Sequence, residues 1–306
     1  LKHRNKTMIV PKQCGPFLLR NHERILIRSL SSKSLVSWNL DEVTKVGTIT
    51  LESPATYNAL TVEMGQEFAS SIREINSDLT TGQKDINAIV LQGSGDGAFS
   101  AGGNFDWLRS LRNNPVHVNA DAMLRFYKSF LCVRTLPVPV IAAIHGPAVG
   151  AGVGLALACD MRITSTGPRK LGFTFSRLGI HTGMGVSHLL QKSLGSSARV
   201  NEILLTGKFL SGEEAYQLGL VNRLVDSNAA VKQEAINLAK EMAAQNPVSV
   251  RSMIQTLRQN QDEGLEAALI REAYAQAVCY NRGDWGAGLD AVLERRDPKF
   301  ESYHSP

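Results

Sequence analysis

Val138-Pro-Val-Ile-Ala-Ala-Ile144 runs directly into His145-Gly-Pro-Ala-Val-Gly-Ala-Gly-Val-Gly154. The first segment is rich in apolar, β-branched residues and predicts a buried strand, whereas the second predicts a glycine-rich turn. Residues Leu155 to Cys159 continue as a predicted helix. A strand that passes through such a turn into a helix is typical of an α/β domain.

The glycines of this turn could be mistaken for a dinucleotide-binding fingerprint. Gly150, Gly152 and Gly154 have the spacing G-x-G-x-G, and no acidic residue follows in 165–175, where a ribose ligand is expected. The pattern therefore argues against a nicotinamide cofactor. The turn does provide main-chain N–H groups at a helix N-terminus, which favours negative charge. Alternatively, the glycines only allow close helix packing.

A second glycine-rich turn lies upstream, in Ala98-Phe-Ser-Ala-Gly-Gly-Asn104. It follows the predicted strand Ile86–Leu91 and leads into a short predicted helix at Phe105–Leu111. Two strand-to-helix turns can direct two main-chain N–H groups at one oxygen atom. Such a pair constitutes an oxyanion hole, which stabilises negative charge developing on a carbonyl oxygen.

Around these turns the chain predicts two regions. In residues 45–200, strands such as Val46–Leu51 alternate with helices such as Thr61–Asn76, which predicts an α/β core with right-handed crossovers. In residues 201–306 one helical segment follows another, and only Val221–Val225 is a predicted strand.

The first 44 residues form a third predicted region, a basic arm. Eight basic residues and one acidic residue precede Asn39, so residues 1–38 carry a net charge of +7. The remaining residues sum to −2, which gives the chain its total of +5. The basic, Ser-rich composition matches an organelle transit peptide, which predicts mitochondrial localisation, with a plastid as the second possibility. A solvated tail or a docking arm for an anionic surface are the alternatives.

Several other functions find no support in the sequence. The four cysteines and seven histidines are scattered without metal-ligand spacing, so we predict no metal site. The arm lacks aromatic residues beyond Phe17 and Trp38, which makes nucleic-acid binding an unfavourable prediction. No apolar run reaches the roughly 18 to 20 residues of a transmembrane helix.

A series of short motifs resembles the signatures of one known family, in order and spacing, from about Val46 to Phe300. They are Pro54-Ala-Thr-Tyr-Asn-Ala-Leu60, Ala98-Phe-Ser-Ala-Gly-Gly103, Ile144-His-Gly-Pro-Ala-Val-Gly-Ala-Gly152, Ala158-Cys-Asp160, Leu205–Ala215, Leu218-Gly-Leu-Val221 and Asn246-Pro-Val-Ser-Val-Arg251. This set is similar to the crotonase (enoyl-CoA hydratase/isomerase) superfamily. The resemblance implies a spiral of ββα units that binds an acyl-CoA thioester. It also implies a helical C-terminal oligomerisation region that forms homotrimers, usually paired into hexamers.

The resemblance also assigns site residues. The thioester carbonyl would accept hydrogen bonds from the N–H groups of Gly103 and Ala151; the second position is commonly Gly, but Ala keeps the donor. Coenzyme A enters as part of the substrate, and no separate cofactor is expected. The main chain of the two glycine-rich turns and of the Asn58–Leu60 turn would bind the substrate, and the residues assigned to this role are Ala59, Leu60, Ser100, Ala101, Gly102 and Gly150.

The sequence differs from the family at the positions of the catalytic acidic residues. The three positions that the family uses for catalytic carboxylates are Gly154, Phe175 and Gly183 here. Because each general acid or base contributes roughly 10²–10⁴ in rate, we expect little ordinary hydratase activity. His181 lies two residues before Gly183, in the same predicted loop, and is a candidate proton carrier. Its alternative role is that of a polar residue at a subunit contact.

Two hypotheses follow. In the first, the protein is an acyl-CoA enzyme whose reaction needs the oxyanion hole but not the glutamates, such as decarboxylation of a malonyl-type thioester or isomerisation with His181. In the second, it is a catalytically silent paralogue that serves as a structural or binding subunit of a larger mitochondrial assembly. The presence or absence of turnover on bound acyl-CoA distinguishes them.

Overall fold

The computed structural model describes residues 34–294 and 296–300. The described residues from Leu35 onward belong to one compact unit. Most of the predicted basic arm, residues 1–33, lies outside the described residues.

A six-stranded sheet forms the centre of the unit, with the order β1-β2-β3-β4-β6-β9. Only the β1–β2 pair is antiparallel, and the remaining pairs are parallel. A second, three-stranded sheet has the order β5-β7-β8. The strands are β1 (Val36–Asp41), β2 (Val46–Leu51), β3 (Ala88–Gly93), β4 (Val140–Ile144), β5 (Ala148–Val149), β6 (Met161–Ser165), β7 (Leu171–Gly172), β8 (Phe209–Leu210) and β9 (Arg223–Val225).

Eleven α-helices lie within the described residues. They are α1 (Val62–Thr81), α2 (Phe105–Ser110), α3 (Val116–Leu131), α4 (Ala151–Ala158), α5 (Val186–Leu194), α6 (Ser197–Leu205), α7 (Gly212–Gln217), α8 (Asn228–Ala243), α9 (Pro247–Asp262), α10 (Leu265–Tyr280) and α11 (Gly283–Leu293). In this part of the chain, no helix is both long and apolar enough to cross a bilayer.

The parallel strands β3 and β4 are buried on both faces, which explains their continuous apolar sequences. Alternate residues join two clusters: Ile89 and Leu91 lie in the main core, while Ala88 and Val90 pack with α8 on the other face. The α/β core expected from alternating strands and helices is thereby confirmed.

The sheet begins earlier than the sequence analysis predicted. The segment Val36–Asp41, which the charge pattern assigned to the arm, is β1 and pairs with β2. Along it, buried or half-buried apolar residues alternate with exposed polar ones, which is the pattern of a strand with one covered face. The neighbouring Ser-rich run hid this short alternation. The folded core therefore extends to residue 36.

Arg258 of α9 attaches the C-terminal helices to the core. It is buried, its guanidinium binds both carboxylate oxygens of Asp160 at 2.5 and 2.7 Å, and it donates to the carbonyls of Arg134, Leu136 and Val138. Breaking a buried ion pair of this kind costs about 3 to 5 kcal/mol, because it leaves an uncompensated charge. The helical region predicted for 201–306 is thus bonded directly to the α/β core.

Candidate active site

The two glycine-rich turns lie side by side and are joined by main-chain hydrogen bonds. Ser100 forms a parallel bridge with Ala148, in which Val149 N–H donates to the Ser100 carbonyl at 3.0 Å. On the other side, Leu60 N–H donates to the Gly102 carbonyl at 2.7 Å and its own carbonyl accepts from Asn104 N–H at 2.9 Å. The backbone alone therefore fixes the relative position of the turns.

Glycine is required at two points of this arrangement. Gly102 has a φ of +99°, and a Cβ there would lie 2.6 Å from the Val149 carbonyl oxygen. At Gly152 in the first turn of α4, a Cβ would lie 2.5 Å from the Ser100 carbonyl oxygen. Both distances are far below van der Waals contact, so larger residues would push the turns apart.

The main-chain N–H groups of Gly103 and Ala151 lie at this junction, and neither has a hydrogen-bond partner among the described residues. Both residues line the same cavity. Ala151 is the first residue of α4, where N–H groups have no intrahelical acceptor and the helix dipole favours negative charge. The structure thus brings together the two N–H groups that the resemblance assigned to an oxyanion hole.

The cavity has a volume of about 810 Å³. Its lining is mainly apolar, with Leu108, Met123, Phe126, Phe175, Leu178 and Ile180 among its side chains. Three arginines, Arg169, Arg177 and Arg296, also line it, and all three are exposed residues. Asp297 is the only carboxylate of the lining within the described chain, and it is exposed and bonded to Arg177 at 2.7 Å.

The residues assigned to substrate binding fall into two groups. Ala101, Gly102 and Gly150 line the cavity. Ala59, Leu60 and Ser100 do not appear in its lining and support the turns instead. The Ser100 hydroxyl, for example, donates to the Asn58 carbonyl at 2.8 Å and accepts from Gly102 N–H at 3.2 Å.

The space beside the three positions without an acid is filled by other side chains. A Cβ at residue 154 would overlap the Cβ of Met184. A Cβ at residue 183 would lie 2.5 Å from the Tyr127 hydroxyl oxygen. Phe175 is itself buried and lines the cavity. The described lining thus has apolar and hydroxyl groups at the positions that the resemblance assigns to carboxylates.

His181 lies elsewhere than the sequence analysis placed it. The residue is exposed and is not part of the cavity lining, and its Nδ1 lies 2.8 Å from the Thr182 carbonyl oxygen. Its main chain, in contrast, contacts a residue of the cavity lining: the His181 carbonyl accepts a hydrogen bond from Gln276 Nε2 at 2.8 Å. The arrangement does not bring the imidazole to the two N–H groups.

The sequence analysis missed a polar stripe on α10. Glu272, Gln276 and Tyr280 recur every fourth residue on this helix, and all three are buried. Gln276 and Tyr280 line the cavity, and Gln276 Oε1 accepts from the Tyr127 hydroxyl at 2.5 Å. The spacing of four was the available signal, because it places three polar side chains on one helix face.

Glu272, the third member of the stripe, holds the loop that carries Gly183 and Met184. Its carboxylate accepts from Gly185 N–H at 2.7 Å, from Ser187 N–H at 2.8 Å and from the Thr182 and Ser187 hydroxyls at 3.2 and 2.6 Å. The two bonded N–H groups lie next to the N-terminus of α5, where a carboxylate is favoured. These four bonds engage both carboxylate oxygens, and Glu272 is not part of the cavity lining, so Glu272 is a positioning residue.

The two cavity tyrosines remain protonated near neutral pH. Burial is the main cause that raises the pKa of Tyr127 well above its ordinary value, and burial likewise raises the pKa of Tyr280. Both are therefore neutral hydroxyls that can donate a hydrogen bond. Among the described residues, no group of three or more His, Cys, Asp or Glu side chains could hold a metal ion.

Comparison with known proteins identifies the family of this chain. The family model described as enoyl-CoA hydratase/isomerase matches residues 41–303. The "Probable enoyl-CoA hydratase 2, mitochondrial" of Arabidopsis thaliana is 30% identical over 93% of this chain and 93% of its own length. The "Short-chain-enoyl-CoA hydratase" of Clostridium acetobutylicum is 29% identical over 86% of this chain and 96% of its own.

A solved structure of similar fold is the enoyl-CoA hydratase/isomerase of Pseudoalteromonas atlantica. It superposes with a TM-score of 0.72 at 26% identity, over 88% of this chain and 100% of that chain. The match covers the α/β core and the C-terminal helices alike. This chain therefore belongs to the enoyl-CoA hydratase/isomerase family of the crotonase superfamily.

Proposed function

We propose that the protein binds an acyl-CoA thioester in the cavity, with the thioester carbonyl oxygen bonded to the N–H groups of Gly103 and Ala151. The observation that supports this most directly is that both groups line one cavity and have no partner among the described residues. When an enolate forms at the thioester, its oxygen gains negative charge, and each such donor is worth about 10²–10³ in rate.

Ordinary hydratase activity is not part of the proposal. Addition of water to an enoyl thioester needs groups that activate the water and deliver a proton. The one carboxylate of the described lining, Asp297, is exposed and held by Arg177. We therefore expect reactions in which the substrate itself generates the enolate, as when loss of CO₂ from a malonyl-type thioester leaves its bonding electrons on the α-carbon.

A catalytically silent binding subunit is the second candidate. It is favoured by the packing at Gly154 and Gly183, where Met184 and Tyr127 leave no room for an acid. Binding of acyl-CoA would survive this packing, because the cavity is present with Met184 and Tyr127 in its lining and the two N–H groups belong to other residues, Gly103 and Ala151.

One experiment separates these functions. Crotonyl-, 3-hexenoyl- and malonyl-CoA are each titrated into the protein by calorimetry and then followed for turnover by mass spectrometry. Turnover of one thioester identifies the reaction, and binding without turnover on all three supports the silent subunit. Absence of binding to every thioester, with a correctly folded sample, would refute the proposal as a whole.

We also propose that the chain forms homotrimers or hexamers. On α10, the apolar residues Ile270, Tyr274 and Val278 follow one another every fourth residue and are 37 to 60% exposed, and α9 exposes Met253 and Leu257. Exposed apolar surface of this kind marks a contact with another protein chain. Light scattering that gives the mass of a monomer, or of a complex with a different protein, would contradict self-association.

The proposed location is the mitochondrion, with the plastid as alternative. It is supported by the basic composition of the first 38 residues and by the similarity to the Arabidopsis thaliana relative, whose name describes it as mitochondrial. A fluorescent fusion to the C-terminus of the chain, imaged with organelle markers, tests it. A diffuse cytosolic signal would contradict it.

A further inference from the structure

The Tyr280 hydroxyl is an unexplained polar group in the cavity. The side chain is fully buried and lines the cavity, yet its oxygen has no hydrogen-bond partner among the described residues. Buried hydroxyls are nearly always hydrogen-bonded, because an unmade bond leaves the cost of desolvation uncompensated. A ligand that enters the cavity could supply the missing partner.

The neighbouring polar groups are already engaged. The Tyr127 hydroxyl donates to Gln276 Oε1 at 2.5 Å, and Gln276 Nε2 donates to the His181 carbonyl at 2.8 Å. The Tyr280 ring packs edge-on against Trp285, with ring centroids 5.5 Å apart. Its ring is thus held in place by packing, while its hydroxyl has no hydrogen-bond partner among the described residues.

The charge around this hydroxyl indicates what it can bind. The buried polar side chains of the described lining are all neutral: Tyr127, Thr174, Gln276 and Tyr280. The cationic ones are the exposed arginines. A carboxylate beside Tyr280 would lose its hydration without gaining a cation, which is costly, whereas a hydroxyl or keto oxygen would lose little.

We propose that Tyr280 is a specificity-determining residue whose hydroxyl donates a hydrogen bond to an uncharged oxygen on the acyl group of the thioester. The cavity would then select acyl-CoA molecules that carry a hydroxyl or keto group over those with a plain hydrocarbon chain. This inference rests on the proposed binding of acyl-CoA and adds the chemical class of the acyl group.

The test compares affinities for acyl groups of three or four carbons. Butyryl-CoA, 3-hydroxybutyryl-CoA, 4-hydroxybutyryl-CoA, acetoacetyl-CoA and malonyl-CoA are titrated into the wild type, Tyr280→Phe and the matched control Tyr274→Phe. Tyr274 lies on the same helix and is 60% exposed. We expect the wild type to bind at least one hydroxyl or keto thioester about 3- to 10-fold more tightly than butyryl-CoA, the range for one hydrogen bond.

In Tyr280→Phe this preference should disappear while the affinity for butyryl-CoA stays unchanged, and Tyr274→Phe should keep the preference. Equal affinities in the wild type, an unchanged preference in Tyr280→Phe, or an affinity for malonyl-CoA that falls in Tyr280→Phe would overturn the inference but leave acyl-CoA binding intact. If none of the five thioesters binds, the proposed function fails together with this inference.

Thermal unfolding without ligand gives an independent readout. Because Phe keeps the ring and removes only an unpaired buried hydroxyl, Tyr280→Phe should melt at a higher temperature than the wild type. A lower melting temperature would mean that the hydroxyl has a structural partner within the protein, and would contradict the proposal.

Discussion

Met184 fills the space beside Gly154 so completely that a Cβ at residue 154 would overlap the Met184 Cβ. The same Cβ would lie 3.2 Å from Val186 Cγ2. Gly154 is buried within α4, and Met184 is buried as well. The position that the resemblance assigns to one of the family's glutamates is therefore closed by packing, in addition to lacking a carboxylate.

A glutamate introduced at residue 154 should therefore not give the protein hydratase activity. We expect Gly154→Glu to lower the free energy of unfolding by about 2 kcal/mol or more, because it overpacks the interior and buries a charge. Urea denaturation measures this loss, and crotonyl-CoA hydration should stay at background. The control is Gly283→Glu, where a Cβ has no atom within 4 Å. A stable Gly154→Glu protein that hydrates crotonyl-CoA would contradict the packing argument.

Ala151→Pro isolates one donor of the oxyanion hole. Proline is tolerated at the first position of a helix, and there it removes only an N–H group that has no intrahelical acceptor. We expect the fold to be kept, any turnover to fall about 10²–10³-fold, and acyl-CoA affinity to fall by up to about tenfold. Ala151→Gly retains the N–H and should behave as the wild type; equal losses in both variants would exclude a role for this donor.

Glu272→Ala should be among the most destabilising substitutions in the site. It would leave the buried Gly185 N–H, the half-buried Ser187 N–H and two hydroxyls of the 182–187 loop without their acceptor, and we expect a loss of about 3 kcal/mol or more in urea denaturation. Glu266→Ala on the same helix is the control. Glu266 is exposed and pairs with Lys128 at 2.6 Å, so its loss should cost less than about 1 kcal/mol.

We expect His145 to make the protein less stable at acidic pH. Burial, assisted by Lys232, lowers the pKa of this histidine below its ordinary 6.5. Because the unfolded chain then binds a proton more readily than the folded one, the free energy of unfolding should fall as the pH drops below 6.5. His145→Asn should show a flatter profile between pH 7.5 and 5. Parallel profiles for the two proteins would contradict this assignment.

Much of the fold could be predicted from periodicity and glycine. Met64, Phe68 and Ile72 at every fourth residue predicted α1, and all three are buried. The strand Val36–Asp41 could not be predicted with the same ease, because its side chains alternate over only six residues next to a charged, Ser-rich run. Short edge strands gain their stability from pairing with a neighbour, which a local pattern does not reveal.

The site was predictable where it is made of backbone and less so where it is made of side chains. Gly103 and Ala151 line the cavity as expected, because strand-to-helix turns place N–H groups in a defined way. Tyr127 and Gln276 lie 149 residues apart in the sequence, and only tertiary packing brings their side chains together. His181 was a plausible proton carrier by proximity in sequence, yet its ring is exposed outside the cavity lining.

The hydrogen bonds of Arg258 limit how far the nascent chain can fold during synthesis. Until α9 has left the ribosome, the carbonyls of Leu136 and Val138 and the carboxylate of Asp160 lack their guanidinium partner. Because Gln276 and Tyr280 follow still later, a nascent chain that stops before α10 has a cavity without its polar wall. The cavity is therefore complete only after α10 has been synthesised, and truncation before this helix should remove the proposed acyl-CoA binding along with stability.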